Sequence, residues 1–297
     1  MQELLQKALV ESKGQFSDAV ISKVECLTGG CIHKAWKLQL SDGVQLFAKT
    51  TSAKNFESLS VEAKGLTYLK RFADPDFIAI PEPLILNHIN NNSILIMPWL
   101  DLTTGDQTIL GKGLALLHKA SSENNPDQFG YEIDGFIGLG PQPGGWRKSW
   151  GECFVHLRLI PQLKIATKWG LCLSDWEELF DDLIKLLEAH KPIPSLVHGD
   201  LWSGNAALQA NGKAVIFDPA VCWADREVDL AMTKLFGGFS HDFYKGYENI
   251  WPLPINSESR SEIYNLYHLL NHANLFGGSY QNQSLSVLKN LKNMFLN

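Results

Sequence analysis

The sequence predicts an α+β protein of two lobes that meet at a cleft. Three observations carry that expectation. The first hundred residues are rich in strand-like runs, most of the chain beyond residue 100 has helical periodicity, and the most polar short motif lies among the helices. With 297 residues, 45% hydrophobic and 20% charged, the chain has the profile of a globular protein with a sizeable core.

Taken in order, the opening "MQELLQKALVESKG" mixes charge with a helical apolar stripe. Strand-like runs follow at 19–27, 31–40 and 44–50, the last two joined by the hairpin signal Asp42-Gly43. Residues 55–72 predict a helix, and 83–89 and 93–99 form a second hairpin around Asn90, Asn91 and Asn92. The boundary between lobes is expected near Leu100 to Gly105, separating residues 1–100 from 101–297. Helices are expected at 105–120, 146–169, 174–190, 226–236, 257–276 and 280–296. Among them stands "SLVHGDLWSGNAAL" (195–208), and the short apolar runs "NAAL" and "KAVIFD" are joined by Asn211-Gly212.

Composition narrows the function. No apolar run approaches the roughly 18 residues that span a bilayer. The first segment lacks the charged, apolar and cleavage regions of a signal peptide, so a cytoplasmic protein with no membrane partner is expected. A net charge of −6 without basic clusters argues against a nucleic-acid partner. Five cysteines (Cys26, Cys31, Cys153, Cys172 and Cys222) with no CxxC suggest neither a zinc site nor a disulfide framework.

The chemistry concentrates in Asp200, Asn205 and Asp218. Asp218 ends the apolar run "AVIF", where a carboxylate is costly unless a cation neutralises it. Asn205 and Asp218 offer oxygen donors suited to magnesium, which takes few protein ligands and completes its shell with water and phosphate oxygens. Asp200, five residues before Asn205, could accept a hydroxyl proton in the same cleft, the arrangement used in phosphoryl transfer. Singly, each residue is better explained by a turn or a cap. Together they are not: H-G-D-x-x-x-x-N arises by chance in only about one chain in a thousand of this length.

"HGDLWSGN" followed by "IFDPA" resembles the catalytic and metal loops of the aminoglycoside phosphotransferase and choline kinase group, whose fold is protein-kinase-like. The resemblance implies Asp200 as catalytic base, Asn205 and Asp218 as Mg2+ ligands, and His198 as the residue that orients the loop. In the front lobe it implies an ion pair between Lys49 of "LFAKT" and Glu62 of "SVEAKGL" that aims the lysine at the ATP phosphates. "LTGGCIHKAW" would cover those phosphates, Gly29 and Gly30 allowing close backbone approach, although a bare glycine pair also makes an ordinary turn. Cys31 in that loop would have neighbours that lower a thiol pKa, and small-residue packing explains it equally well. "SILIMPWLDL" would join the lobes, with Met97 lining the adenine pocket and Trp99 and Leu100 beside it. Pro98 has no N–H, so the backbone donor falls to Leu100 or a neighbour.

Longer stretches narrow the resemblance. "PQPGGWRKSWGECFVHLRLIPQLKIA", "WADREVDLAMTKLFGGF" and "LYHLLNHANLFGGSY" are similar to the fructosamine kinase family, the ketosamine 3-kinases, and with the front loop the likeness covers nearly the whole chain. It implies ATP-dependent phosphorylation of a sugar hydroxyl on a ketosamine, small or protein-bound, after which the adduct falls apart and restores the amine. Trp146 and Trp223 could stack on the sugar, and Asp225 and Glu227 could meet hydroxyls or a cationic amine. Packing and capping are the alternative for all four, and explain Trp150, Arg158 and Asp229 as well. The chain departs from the family pattern at "DGFIG" (134–138) and at Gly144, which leaves the acceptor open. A kinase for another hydroxylated amine, or a silent binding protein, remains as an alternative; the filled positions Lys49, Glu62, Asp200, Asn205 and Asp218 count against the silent one. A monomer or weak homodimer is expected.

Overall fold

The computed structural model describes residues 1–28 and 33–296, so Gly29, Gly30 and Cys31 lie outside the described residues. The front of the chain forms helix α1 (Gln2–Glu11), strands β1 (Ile21–Leu27), β2 (Lys34–Leu40) and β3 (Gln45–Ser52), helix α2 (Phe56–Lys70), the two-residue strand β4 (Ile78–Ala79), and strands β5 (Ile85–Ile89) and β6 (Asn92–Pro98). Five of the strands make one antiparallel sheet in the order β1-β2-β3-β6-β5. Both anticipated hairpins are present, turning through Gly43 (φ 91°) and Asn90 (φ 52°).

Strand alternation gives this sheet two apolar faces. Leu38, Leu46, Ala48, Ile94 and Ile96 pack with Leu5 and Leu9 of α1. The opposite face carries Phe47, Leu95 and Met97 toward α2 and the large core of the back lobe. Lys49 follows Phe47 at a spacing of two, so period 2 sends it to the same side as α2. That alternation alone aims a lysine into the space between the lobes.

The remainder is mostly helical. It begins with β7 (Leu102–Thr103) and α3 (Thr108–Ser122), followed by short strands β8 (Phe129–Tyr131), β9 (Gly135–Ile137), β10 (Gly140–Gln142) and β11 (Gly145–Arg147). Then come α4 (Trp150–Phe154), a π-helical turn at Val155–Leu159, α5 (Ile160–Ala166) and α6 (Glu178–Ala189). Strands β12 (Ser195–Val197), β13 (Ala206–Gln209), β14 (Ala214–Ile216) and β15 (Cys222–Ala224) precede α7 (Glu227–Leu235), α8 (His241–Glu248), α9 (Ser257–Phe276) and α10 (Ser279–Leu296). Two four-stranded sheets, β11-β8-β15-β12 and β4-β14-β13-β7, support the loops between the helices. β4 joins the second of these, pairing in parallel with β14, so a segment from the first hundred residues is stitched into the back lobe. No helix among the described residues is long and apolar enough to cross a membrane.

Short strands β4, β7–β11 and β15 go beyond the sequence expectation, and two helices differ from it for a visible reason. The helix anticipated at 146–169 starts late, because Trp146 belongs to β11 and Ser149 caps the helix that follows, its Oγ accepting from the Glu152 N–H. Helix α8 was hidden by its length and by Gly246, a poor helix former. The glycine is there for space. A Cβ on Gly246 would lie 2.3 Å from the Thr108 carbonyl oxygen, and one on Gly111 would lie 1.9 Å from that of Phe243. Helices α3 and α8 therefore touch backbone to backbone. Gly111→Ala is expected to force them apart and cost about 1–3 kcal/mol, measured by denaturant unfolding.

Candidate active site

The β13–β14 hairpin builds the centre of the site. Its register pairs Ala206 with Ile216, which places Asn205 and Phe217 opposite each other at the open end, where the Phe217 N–H donates to the Asn205 carbonyl at 3.0 Å. Asp218 is the next residue, so two groups thirteen apart in sequence become neighbours. Asp218 holds a positive φ of 60°, a conformation that costs a non-glycine residue and persists where the surroundings impose it.

The loop after β12 crosses this segment closely. The Ala220 N–H donates to the His198 carbonyl at 2.8 Å, and a Cβ on Gly199 (φ 82°) would lie 2.1 Å from the Ala220 oxygen. The His198 ring is buried; its Nε2 lies 2.9 Å from the Phe217 carbonyl, and its Nδ1 accepts from the Asp200 N–H at 3.3 Å. A donor at Nε2 and an acceptor at Nδ1 define the neutral tautomer. Burial also pushes the His198 pKa down, which keeps the ring uncharged. His198 thus holds the loop and is not aimed at a reacting group.

Asp229, in the first turn of α7, fixes the loop from the other side. Its buried carboxylate accepts from the His198 N–H at 2.7 Å and the Gly199 N–H at 2.8 Å, and its Oδ2 lies 3.1 Å from His118 Nε2. His118 Nδ1 lies 2.9 Å from the Tyr247 hydroxyl. Burial works against the Asp229 charge, but the bonds from His118 and the backbone outweigh it and hold the pKa below the ordinary carboxylate range.

Asp200 keeps part of its surface open. Asn205 Nδ2 donates to the Asp200 carbonyl at 2.8 Å and to its Oδ2 at 3.2 Å. Its crowded surroundings, and after them the Asp218 carboxylate, push the Asp200 pKa up to about 7. Across the cleft, Lys49 Nζ lies 2.8 Å from Glu62 Oε1 and also contacts Asp218 Oδ1. Burial disfavours the ammonium, yet Asp218 and Glu62 prevail and hold its pKa above the usual lysine value. Lys49, Glu62, Asp200, Asn205 and Asp218, spread over 170 positions of sequence, are thereby gathered at one junction of the lobes.

This donor set fits a hard divalent cation. Asp218 and Glu62 share the single Lys49 ammonium, and Asp200 stands close enough to Asp218 for the two carboxylates to repel. With Asn205 Nδ2 spent on Asp200, its amide oxygen would be the atom offered to a cation. Along the strand that leads out of the front sheet, the Trp99 N–H bonds the Gln45 carbonyl at 3.3 Å, while the Leu100 N–H finds no protein acceptor among the described residues. Met97 lies with Phe47 and Lys49 on the face turned to the back lobe. The Trp99 ring is taken up by Lys37, whose Nζ sits 4.1 Å from its centroid, and its Nε1 donates to Asp101 at 2.8 Å.

Of the four residues expected to meet substrate, three lie in the interior. Trp146 is half-buried on β11, and Trp223 is buried against Phe72 at a centroid distance of 5.9 Å. Asp225 and Glu227 lie beyond the end of β15, whose antiparallel pairing of Ser195 with Ala224 puts them at the opposite end of β12 from Asp200. Both are buried and already partnered: Tyr264 donates to Asp225 at 2.6 Å, and Arg260 makes a two-point pair with Glu227 at 2.7 and 2.8 Å. Trp223, Asp225 and Glu227 are therefore corrected to interior positions.

What borders Asp200 instead is a set of rings that sequence reasoning passed over. Trp202 is 39% exposed and lies 6.4 Å from Phe236, which in turn is 5.0 Å from the His272 ring; His272 lies 5.1 Å from Tyr280. Burial lowers the His272 pKa, so this shelf is uncharged. Gly204 makes room for it, since a Cβ there would meet the Trp202 ring at 2.2 Å. The available signal was a tryptophan inside a motif of small polar residues.

Comparison with known proteins agrees with this architecture. The fructosamine kinase family model matches residues 1–294. A "probable ketoamine kinase" of Synechocystis sp. is 40% identical over 273 residues, 91% of this chain and 90% of its own. The crystal structure of a candidate fructosamine-3-kinase from Haemophilus somnus superposes with a TM-score of 0.85 at 27% identity, covering 98% of this chain and 97% of that one. An amicoumacin kinase in complex with AMP-PNP and Ca2+ shares the fold at a TM-score of 0.58 and 14% identity, over 99% of this chain and 93% of that one. With its protein-kinase-like fold and its cleft of acids around one lysine, the chain is an ATP-dependent phosphotransferase that belongs to the fructosamine kinase family.

Proposed function

We propose that the chain phosphorylates a sugar hydroxyl of ketosamines, with Asp200 as proton acceptor, and that the product's breakdown frees the glycated amine. The observation that carries the reading is Asp200 itself: partly open, held by Asn205, and raised to about 7 by its surroundings. A base is most effective when its pKa lies near the working pH. Asp200 takes the proton of the attacking hydroxyl as its oxygen moves to the γ-phosphorus of ATP. Asn205 keeps the carboxylate aimed, and His198 with Asp229 keeps the loop from shifting. Lys49, held by Glu62, is placed to meet the phosphates. Asn205 and Asp218 would hold Mg2+, which neutralises phosphate charge during transfer.

Trp202 and Phe236 supply an apolar floor for the sugar or for the carbon stem of the amine. Trp202→Ala is expected to raise the acceptor KM roughly tenfold while leaving the KM for ATP within about twofold, since losing roughly 55 Å² of apolar contact at about 25 cal/mol per Å² amounts to about 1.4 kcal/mol. Steady-state kinetics with each substrate varied in turn checks this. An ATP-fed reaction suits the cytoplasm, and both free and protein-bound ketosamines present the same hydroxyl.

The test is ADP release with Mg2+ from a panel of ribulosamine, fructosamine, aminoglycoside and choline acceptors. Turnover confined to the ketosamines is expected. Turnover of choline or an aminoglycoside, with none of a ketosamine, would overturn the reading.

A further inference from the structure

The far end of β12, away from Asp200, holds a second group of ligand-type side chains. His190, just after α6, comes together with Asp225 and Glu227 around the start of α7; one donor atom from each lies within 4.8 Å of the other two. The His190 side chain is nine-tenths buried, and its Nε2 lies 3.0 Å from Asp225 Oδ2. The contact lacks hydrogen-bond geometry, so this buried nitrogen has no hydrogen-bond partner among the described residues. Two donor atoms that approach closely without pointing at each other are arranged like neighbours on a shared cation. In a tetrahedral site with bonds of about 2.0 Å, adjacent ligand atoms are about 3.3 Å apart.

The surroundings strengthen that arrangement. Tyr264 donates to Asp225 Oδ2 at 2.6 Å and itself receives Trp150 Nε1 at 3.1 Å. The Glu227 N–H donates to Asp225 Oδ1 at 3.1 Å, and Arg260 engages both oxygens of Glu227. Each carboxylate oxygen has two lone pairs, so these bonds orient the acids and still leave each a free acceptor site. Outer contacts of this kind fix the ligands of metal centres. Among the described residues Arg260 is the guanidinium in contact with this pair of buried acids. One imidazole nitrogen and two carboxylates suit zinc and the neighbouring first-row ions.

We propose that His190, Asp225 and Glu227 form a divalent transition-metal site, separate from the catalytic centre, that clamps the end of α6 to the start of α7. The probe is Co2+ alone, titrated into the untagged full-length protein, whose ligand-field spectrum distinguishes an imidazole-containing tetrahedral site from the oxygen donors Asn205 and Asp218. One equivalent of Co2+ is expected to give an intense visible band that Zn2+ displaces. His190→Gln should abolish the band, weaken Zn2+ affinity at least tenfold, and leave Mg2+-ATP turnover on a ketosamine unchanged; even losing an outer contact costs ~10–100-fold in metal affinity. Zn2+ should also raise the Tm of the parent and not of the variant. Absence of the band in the parent, or the same band and Tm shift in His190→Gln, overturns the site and leaves His190–Asp225 as an ion pair only.

Discussion

Asp200→Asn is expected to lower turnover by about 10²–10⁴-fold, the range over which positioned proton acceptors contribute, while nucleotide affinity stays near that of the parent. The asparagine is nearly isosteric, so it can keep the contact with Asn205 and removes only the capacity to take a proton. Lys49 reaches Glu62 and Asp218 without Asp200, which is why nucleotide binding should survive. Single-turnover kinetics with nucleotide affinity measured separately distinguishes the two. A parallel loss of nucleotide binding, or parental turnover, would remove Asp200 from the role assigned to it.

Asp229→Ala is expected to have the largest effect on stability. It strands two buried backbone N–H groups, of His198 and Gly199, and takes the partner from buried His118. Each buried donor left unsatisfied costs about 1–3 kcal/mol, so the loss is on the order of several kcal/mol. Activity should fall further than stability alone explains, because the two N–H groups belong to the turn that carries Asp200. If the alanine variant does not fold, Asp229→Asn keeps one acceptor and should lose about 1.5–3 kcal/mol, the worth of a bond to a charged group. Denaturant unfolding of either variant, with turnover measured below its transition, reads both effects. Parental stability in the asparagine variant would contradict the network.

Much of this site was legible because its residues act through local spacing. Asn205 and Asp218 bracket a hairpin whose turn, Asn211-Gly212, is written in the sequence, and Lys49 follows the strand alternation of Phe47. The fold class was equally visible, since strand runs and helical periods occupy different stretches of the chain. Contacts made across distance were hidden. Asp225 and Glu227 look like cleft acids until the pairing of β12 with β15 carries them to the other end of the sheet. Trp202, Phe236, His272 and Tyr280 come from three segments that only the tertiary fold unites. Helix α8 was masked by glycine, whose lack of a side chain serves the α3 contact and not the helix.

The most direct measurement is a crystal structure of the full chain with a non-hydrolysable ATP analogue and Mg2+. The expected result has the cation on Asn205 and Asp218, the Lys49 ammonium, still paired with Glu62, against the phosphates, and Asp200 facing the acceptor side without a metal bond. A nucleotide bound outside the lobe junction, or a cation that ignores both Asn205 and Asp218, would contradict the account.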